Sequence, residues 1–434
     1  MRRFRPRRND RTVSRDRDPI RATPRPARPH DATCLRDRFD VPSDIAYFDT
    51  AAYGLMSHDC RKALEQATVL LSRPWLSVKE RAAEAAEFVR ATIGALIRRP
   101  AADVALVRSV SAGIAVALRT VPIASGERIL RLAGDHPSIT LQCERRAREA
   151  GGVVVVAPDP GPGAWAASIF AALGPDEHPA VAAILLTPLF WTNGKTVAIR
   201  DVVDSLRARG DGRKTAIVID ATHGAGVVDD MFADLNPDFV VFPAFKWLLG
   251  PVGLAFLVAA PRRQTGEPSD LNGFNALTGH DGGLVAFRGG AARYDMGERD
   301  SPSHLLHAAA ALKLLATFDR QASLARLQEL ADAVAGIARR CGYACTGGGP
   351  GAPHIIGLTL PGNADPSRTA LALRERGVFA SVRGTSVRLS LYLHNDWNDI
   401  DRFEQALTDL NVEDRATDTL QVDLQHRAKI WRRS

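Results

Sequence analysis

The sequence predicts an α/β protein: a large domain built on a mainly parallel sheet sandwiched by helices, followed by a small α+β C-terminal domain. Two observations carry this. Short runs that are apolar on both faces, such as "VAAILLTPL" and "TAIVIDA", alternate with helical segments, and strands buried on both faces with helices between them belong to parallel sheets. After about residue 310 the order changes to helix, strand, helix, strand, helix. A chain of 434 residues, 45% of them hydrophobic, has the length for one large domain and a smaller one.

Residues 1–30, "MRRFRPRRNDRTVSRDRDPIRATPRPARPH", hold eleven arginines against three aspartates, a charge of +8 within a net charge of +7. With almost nothing to bury, this stretch is expected to be a disordered, solvated tail. No apolar stretch follows the arginines, which argues against a secretory signal. Residues 31–54 are expected to join the small domain in space. Ala, Leu, Val and Ile recur at three- and four-residue intervals through residues 58–98, which predicts helix. "VALVRS", "RILRLA", "GGVVVVAP", "VAAILLTPL", "TAIVIDA", "DFVVFPAF" and "LAFLVAAP" then read as strands, and "SAGIAVALRTV", "SITLQCERRAREA" and "AIRDVVDSLRARG" as helices. These make a large domain of residues 55–310. A long helix, "SHLLHAAAALKLLATFD", leads into the small domain, residues 311–412, where "HIIGLTL" and "SVRLSLYL" are the strands and "DIDRFEQALTDL" the closing helix. Residues 413–434 read as a polar tail.

Composition excludes several classes. No window approaches the roughly 18 uninterrupted apolar residues of a membrane span. The five cysteines, Cys34, Cys60, Cys143, Cys341 and Cys345, are odd in number and contain no CxxC pair, which argues against a zinc site or a disulfide framework and fits a reducing cytoplasm. Outside the arginine-rich stretch the chain carries −1 and no basic stripe interleaved with aromatics, so a nucleic-acid partner is not expected. No GxGxxG follows any predicted strand, which sets a nicotinamide-dependent oxidoreductase aside.

In open α/β sheets ligands sit at the carboxyl ends of the strands. Several polar residues fall there: Ser109, Ser111, Ala112 and Gly113 where a helix begins, His136 after "RILRLAGD", Asn193 after "VAAILLTPLFW", Asp220 closing "TAIVID", and Lys246 after "DFVVFPAF". Lys246 stands in the otherwise apolar run "DFVVFPAFKWLLGPVGLAFL". Taken alone, it reads as a loop lysine reaching solvent along its stem. The residues around it suit pyridoxal phosphate chemistry. A desolvated amine forms a Schiff base with an aldehyde. A carboxylate keeps a pyridine nitrogen protonated so that the ring withdraws electrons. A serine and backbone N–H groups at a helix start hold a phosphate, and a flat imidazole stacks on a ring. The bland readings are Asp220 as a helix cap, the histidines as structural loop residues, and Arg388 as a surface charge.

The order "YFDTAAYG", "RSVSAGI", "GDHPSI", "IDATHGAG", "FPAFKWLLGPVG", "VRLSLYLHNDWNDIDRF" resembles the class V aminotransferase family over roughly residues 40–412. Those are fold-type I pyridoxal 5'-phosphate enzymes that include cysteine desulfurases, isopenicillin-N-epimerase-like proteins and kynureninases. The resemblance implies that Lys246 is the Schiff-base lysine and Asp220 the partner of the pyridinium. It implies that His136 stacks on the ring, that His223 contacts the phenolic oxygen, and that Ser111 binds phosphate at the helix start with Ala112 and Gly113. Asn193 falls near a cofactor-facing asparagine of the family. Arg388 matches the arginine whose fork grips the substrate carboxylate. A homodimer with its active sites near the interface is also implied, and "GHDGGLVAFRGGAARYDMGERD" looks suited to reaching a neighbour.

The match has departures. Desulfurases need a reactive cysteine just before the arginine strand, and "GVFASVRGTSVRLS" has no thiol. Pro243 and Phe245 replace a serine and histidine expected before the lysine. Glu298 stands where many relatives present a threonine to the neighbouring phosphate, with Arg299 beside it to supply the compensating charge. The expectation is an aminotransferase-like enzyme acting on an amino acid, with epimerisation or carbon–sulfur lysis as the alternatives. No metal is expected.

Overall fold

The computed structural model describes residues 34–411 except 77, 162–164, 175–179, 209–214, 233, 269 and 363. The arginine-rich residues 1–30 and the segment 413–434 lie outside the described residues. Among the described residues a 3-10 turn (Arg36–Arg38) and a short strand β1 (Ala46–Tyr47) come first, followed by helices α1 (His58–Ser72) and α2 (Val78–Leu96). The periodic stretch 58–98 is thus two helices, the first capped by Ser57 Oγ, which accepts from Cys60 N–H.

Strand and helix then alternate: β2 (Val104–Val107), α3 (Val110–Thr120), β3 (Arg128–Leu132), α4 (Pro137–Ala150), β4 (Val153–Ala157), α5 (Trp165–Leu173), β5 (Val181–Leu186), α6 (Ile199–Ala208), β6 (Ala216–Asp220), β7 (Phe239–Pro243) and β8 (Ala255–Ala259). They form one seven-stranded sheet in the order β2-β8-β7-β6-β5-β3-β4. Only β8 runs antiparallel to its neighbours. Two apolar clusters cover the sheet, one including Leu106, Leu130, Ile184, Ile219 and Phe242, the other Val107, Ile129, Leu185, Val218 and Val241. Adjacent strand residues divide between them, as the two-residue period of a strand requires. Helix α3 lies close against β7: a Cβ on Gly113 would fall 2.6 Å from Val241 Cγ1.

A hairpin of β9 (Ala276–Thr278) and β10 (Leu284–Phe287) projects Leu284 and Val285 into solvent. Helices α7 (Pro302–Leu315) and α8 (Arg320–Arg340) lead to β11 (Ala344–Gly347), β12 (Ile355–Thr359), α9 (Pro366–Glu375), β13 (Val378–Phe379), β14 (Ser381–Arg383), β15 (Ser386–Ser390) and a closing helix α10 over 397–411. The second sheet has the order β11-β12-β15-β14. Its core includes Phe48, Leu330, Ile356, Leu389 and Phe403, so residues from both ends of the described chain share it. β1 pairs in parallel with β13, and Ser390 N–H donates to Phe48 O at 2.7 Å. Among the described residues no helix is long and apolar enough to cross a membrane, and no cluster of His, Cys, Asp or Glu could hold a metal ion.

Candidate active site

The carboxyl ends of β2, β3, β5, β6 and β7 meet around a cavity of about 350 Å³. Ser111, His136, Asp220, His223 and Lys246 all line it, together with Arg108, Thr187, Trp191 and Thr222. Parallel strands explain the convergence, because each ends at the same edge of the sheet.

Lys246 follows β7 in a turn held by the N-terminal segment. Gly54 N–H donates to Phe245 O at 2.9 Å, and a Cβ at Gly54 would fall 2.2 Å from Lys246 O. Only glycine lets that segment lie so close to the lysine. Burial, then the Arg388 guanidinium, pushes the Lys246 amine from 10.5 down to about 8. Its Nζ lies 3.4 Å from His223 Nε2. Trp247 Nε1 lies 3.4 Å from His223 Nδ1, and an indole N–H can only donate. Burial and the neighbouring lysine hold His223 well below 6.5, so its ring is neutral with the proton on Nε2. That N–H faces Nζ, which accepts it only as a neutral amine. Burial beside Arg388 therefore favours the nucleophilic form of the lysine as pH rises through about 8.

Asp220 ends β6 fully inside the fold and accepts from Thr222 N–H at 2.9 Å. Burial pushes its carboxyl up. Among the described residues no side-chain cation forms an ion pair with it. Thr222 Oγ1, beside it, is buried with no hydrogen-bond partner. Behind them Asp135 accepts from Thr187 Oγ1 at 2.8 Å and from Leu132 N–H at 2.9 Å. Burial raises its carboxyl to about 7. His136 caps α4, its Nδ1 accepting from Ser138 N–H at 3.2 Å, and its ring meets Trp191 edge-on at 5.1 Å.

At the start of α3 the amides divide. Ala112 N–H donates to the Ser109 cap hydroxyl at 3.2 Å and Gly113 N–H to Ser109 O at 3.0 Å. Both are committed within the first turn, and Gly113 is required by packing on Val241. The Val110 and Ser111 amides have no intrahelical acceptor at this end, so they and Ser111 Oγ are the groups turned to an anion. Arg108 adds a guanidinium on the cavity wall. Arg299 does not: its Nε is 3.1 Å from the buried Asp295 carboxylate, which also pairs with Arg90.

The small sheet lies beside the cavity without lining it. Arg388 on β15 is buried and donates to Trp191 O at 2.7 Å and to Asp49 Oδ1 at 3.2 Å. Two of its five N–H groups are thus used to fix the fork, and three remain. Asn193 is not brought into the cavity. Its loop packs on β12, where a Cβ on Gly357 would fall 2.6 Å from Asn193 Cβ, and its Oδ1 accepts from Lys195 N–H at 3.1 Å. Trp191 occupies the wall instead.

This donor set fits pyridoxal 5'-phosphate. A buried carboxylate without a cation matches a protonated ring nitrogen, the orphaned Thr222 hydroxyl has no other partner, and a helix start with Arg108 matches a phosphate. Asp49, Arg108, Asp135, Thr187, Trp191 and Thr222 were not singled out from the sequence. Asp49 and Thr222 fall inside the quoted motifs "YFDTAAYG" and "IDATHGAG", but Trp191 carries no sequence signal.

The sequence profile of the family described as aminotransferase class-V matches residues 47–403. No curated protein matches the chain by sequence. Solved structures share the fold. The cystine C-S lyase C-DES, solved with its product cysteine persulfide, is 17% identical and superimposes with a TM-score of 0.78 over 84% of this chain and 97% of its own. The cysteine desulfurase CsdA of Escherichia coli is 18% identical, with a TM-score of 0.75 over 87% and 97%. A cysteine desulfurase from Thermococcus onnurineus is 15% identical, with a TM-score of 0.74 over 87% and 98%. The chain belongs to the class V aminotransferase family, the fold-type I enzymes that use pyridoxal 5'-phosphate.

Proposed function

We propose that the protein is an aminotransferase-like enzyme acting on an α-amino acid, with Lys246 as both the cofactor-linking amine and the base at the substrate's Cα. The observation that carries this is the buried Lys246 amine, lowered to about 8, facing His223 across a cavity whose one unpaired carboxylate is Asp220 among the described residues. Pyridoxal phosphate, when bound, supplies a carbonyl for the amine and an electron sink that weakens the bonds at Cα. Asp220 holds a proton at the ring nitrogen. Val110 and Ser111 amides, Ser111 Oγ and Arg108 would hold the phosphate, and His136 would contact the ring. Arg388, oriented by Asp49 and Trp191 O, grips the α-carboxylate. Lys246 would take the Cα proton, and its lowered pKa would let it hold and return that proton near neutral pH.

A second reading, carbon–sulfur β-elimination, is favoured by the fold likeness to a cystine C-S lyase combined with the absence of a thiol in residues 377–390. Persulfide transfer to an enzyme cysteine is not supported, because none of the five cysteines lines the cavity. We also propose a homodimer, supported by the exposed Leu277, Leu284 and Val285 of the β9–β10 hairpin. A reducing compartment fits the five free thiols.

Incubating the loaded enzyme with amino acids and 2-oxo acids decides among the outcomes. Amino-group exchange supports the proposal. Release of pyruvate and ammonia, with sulfide from cysteine or cysteine persulfide from cystine, would replace it with elimination. Solvent deuterium at Cα with inversion and no other product would replace it with epimerisation.

A further inference from the structure

The face of the small sheet that carries Arg388 against Trp191 holds a second arginine. In the β14–β15 pair Ser381 stands opposite Arg388 and Arg383 opposite Ser386. Alternation puts Ser381, Arg383, Ser386 and Arg388 on one face, while Val387 and Leu389 enter the small-domain core from the other. Arg383 and Arg388 are therefore diagonal neighbours, about 7–8 Å apart along the sheet. That separation suits two anionic groups on one short molecule.

Their partners differ. Arg388 is fixed by Asp49 and Trp191 O. Arg383 donates to Val382 O at 2.7 Å, and its guanidinium lies 5.8 Å from the centre of the Trp191 ring, which is the cavity wall. Among the described residues no carboxylate forms an ion pair with Arg383, and its Nε is buried without a hydrogen-bond partner. The Arg383 charge also reaches inward, adding to the forces that lower His136 and Lys246.

Resting on the reading that Arg388 holds the α-carboxylate, we propose that Arg383 holds a second anionic group, so that the substrate class is amino acids with an acidic side chain. The aromatic ring orients the guanidinium plane. A planar fork gains most from a carboxylate's two oxygens and much less from a neutral amide.

The test is a visible-absorbance titration of the pyridoxal-phosphate-loaded parent and Arg383→Gln proteins with glutamate, glutamine, aspartate and asparagine. The parent is expected to bind each acid at least about tenfold more tightly than its amide, the gain of one charge-assisted contact. Arg383→Gln should bring acid and amide within about threefold of each other. Arg383→Lys, which keeps charge without the fork, should fall between. Equal binding of acid and amide by the parent overturns the proposal. So does an equal loss for both in Arg383→Gln, which would assign Arg383 to the α-carboxylate. A parent spectrum that none of the four amino acids changes overturns this inference, while a change with cysteine or another neutral amino acid leaves the amino-acid reading standing.

Discussion

Replacing Lys246 by methionine should stabilise the cofactor-free protein, and should do so in a pH-dependent way. Methionine has a similar length and no charge to bury. The folded protein holds the Lys246 amine at about 8, against an ordinary 10.5. At about 1.4 kcal/mol per pH unit, that difference is a penalty of roughly 3 kcal/mol on the parent. The sign follows from proton counts. Between pH 8 and 10.5 the unfolded chain holds the proton that the folded chain has lost, so the parent gains stability as pH rises through this window. Below pH 8 both states are protonated and the full penalty applies. The advantage of Lys246→Met over the parent should therefore be largest near pH 7, by roughly 3 kcal/mol, and shrink to roughly 1 kcal/mol at pH 10. Urea unfolding of both cofactor-free proteins at equal concentration, at pH 7, 8, 9 and 10, measures it. A difference that is constant with pH, or grows with it, would refute the claim that the fold stores a destabilised amine at this position.

Other expectations concern the remaining walls of the cavity. Arg388→Ala should keep the visible absorbance of the lysine-linked cofactor and lose about 1.5–3 kcal/mol of amino-acid binding, roughly ten- to a hundredfold in affinity; unchanged affinity would put the carboxylate clamp elsewhere. Arg108→Met should raise the dissociation constant of pyridoxal phosphate about tenfold or more while leaving that of pyridoxal alone unchanged, measured by titrating the cofactor-free protein. An equal effect on both would remove Arg108 from the phosphate. Gly113→Ala pushes a methyl group to 2.6 Å from Val241 Cγ1 and should cost about 1–3 kcal/mol in thermal or urea unfolding. Val241→Ala in the same chain should recover part of that loss. Sedimentation should find a dimer, and charged residues at Leu284 and Val285 together should weaken it; a fully active monomer would contradict the proposed assembly.

The sequence by itself determined the alternation of buried strands and helices, and it placed Asp220 and Lys246 at the ends of their own strands. Those features are local: a strand buried on both faces must be apolar throughout, and a residue just past its end is fixed by the chain to the sheet's rim. The hairpin at Ala276–Phe287 and helix α5 carry weaker local patterns, and the sequence alone does not reveal them. Tertiary structure alone decided which side chains became partners. It brought Asp49 to Arg388 across 339 positions, committed Arg299 to Asp295, and turned the Asn193 loop onto β12 while leaving Trp191 on the cavity wall. It also lowered the Lys246 amine, through burial and the guanidinium of Arg388 far along the chain, and fixed the tautomer of His223 by placing Trp247 Nε1 at its other nitrogen. A residue's type limits what it can bond, but burial and the geometry of segments distant in sequence choose which bond is made, and with it the charge that the residue carries.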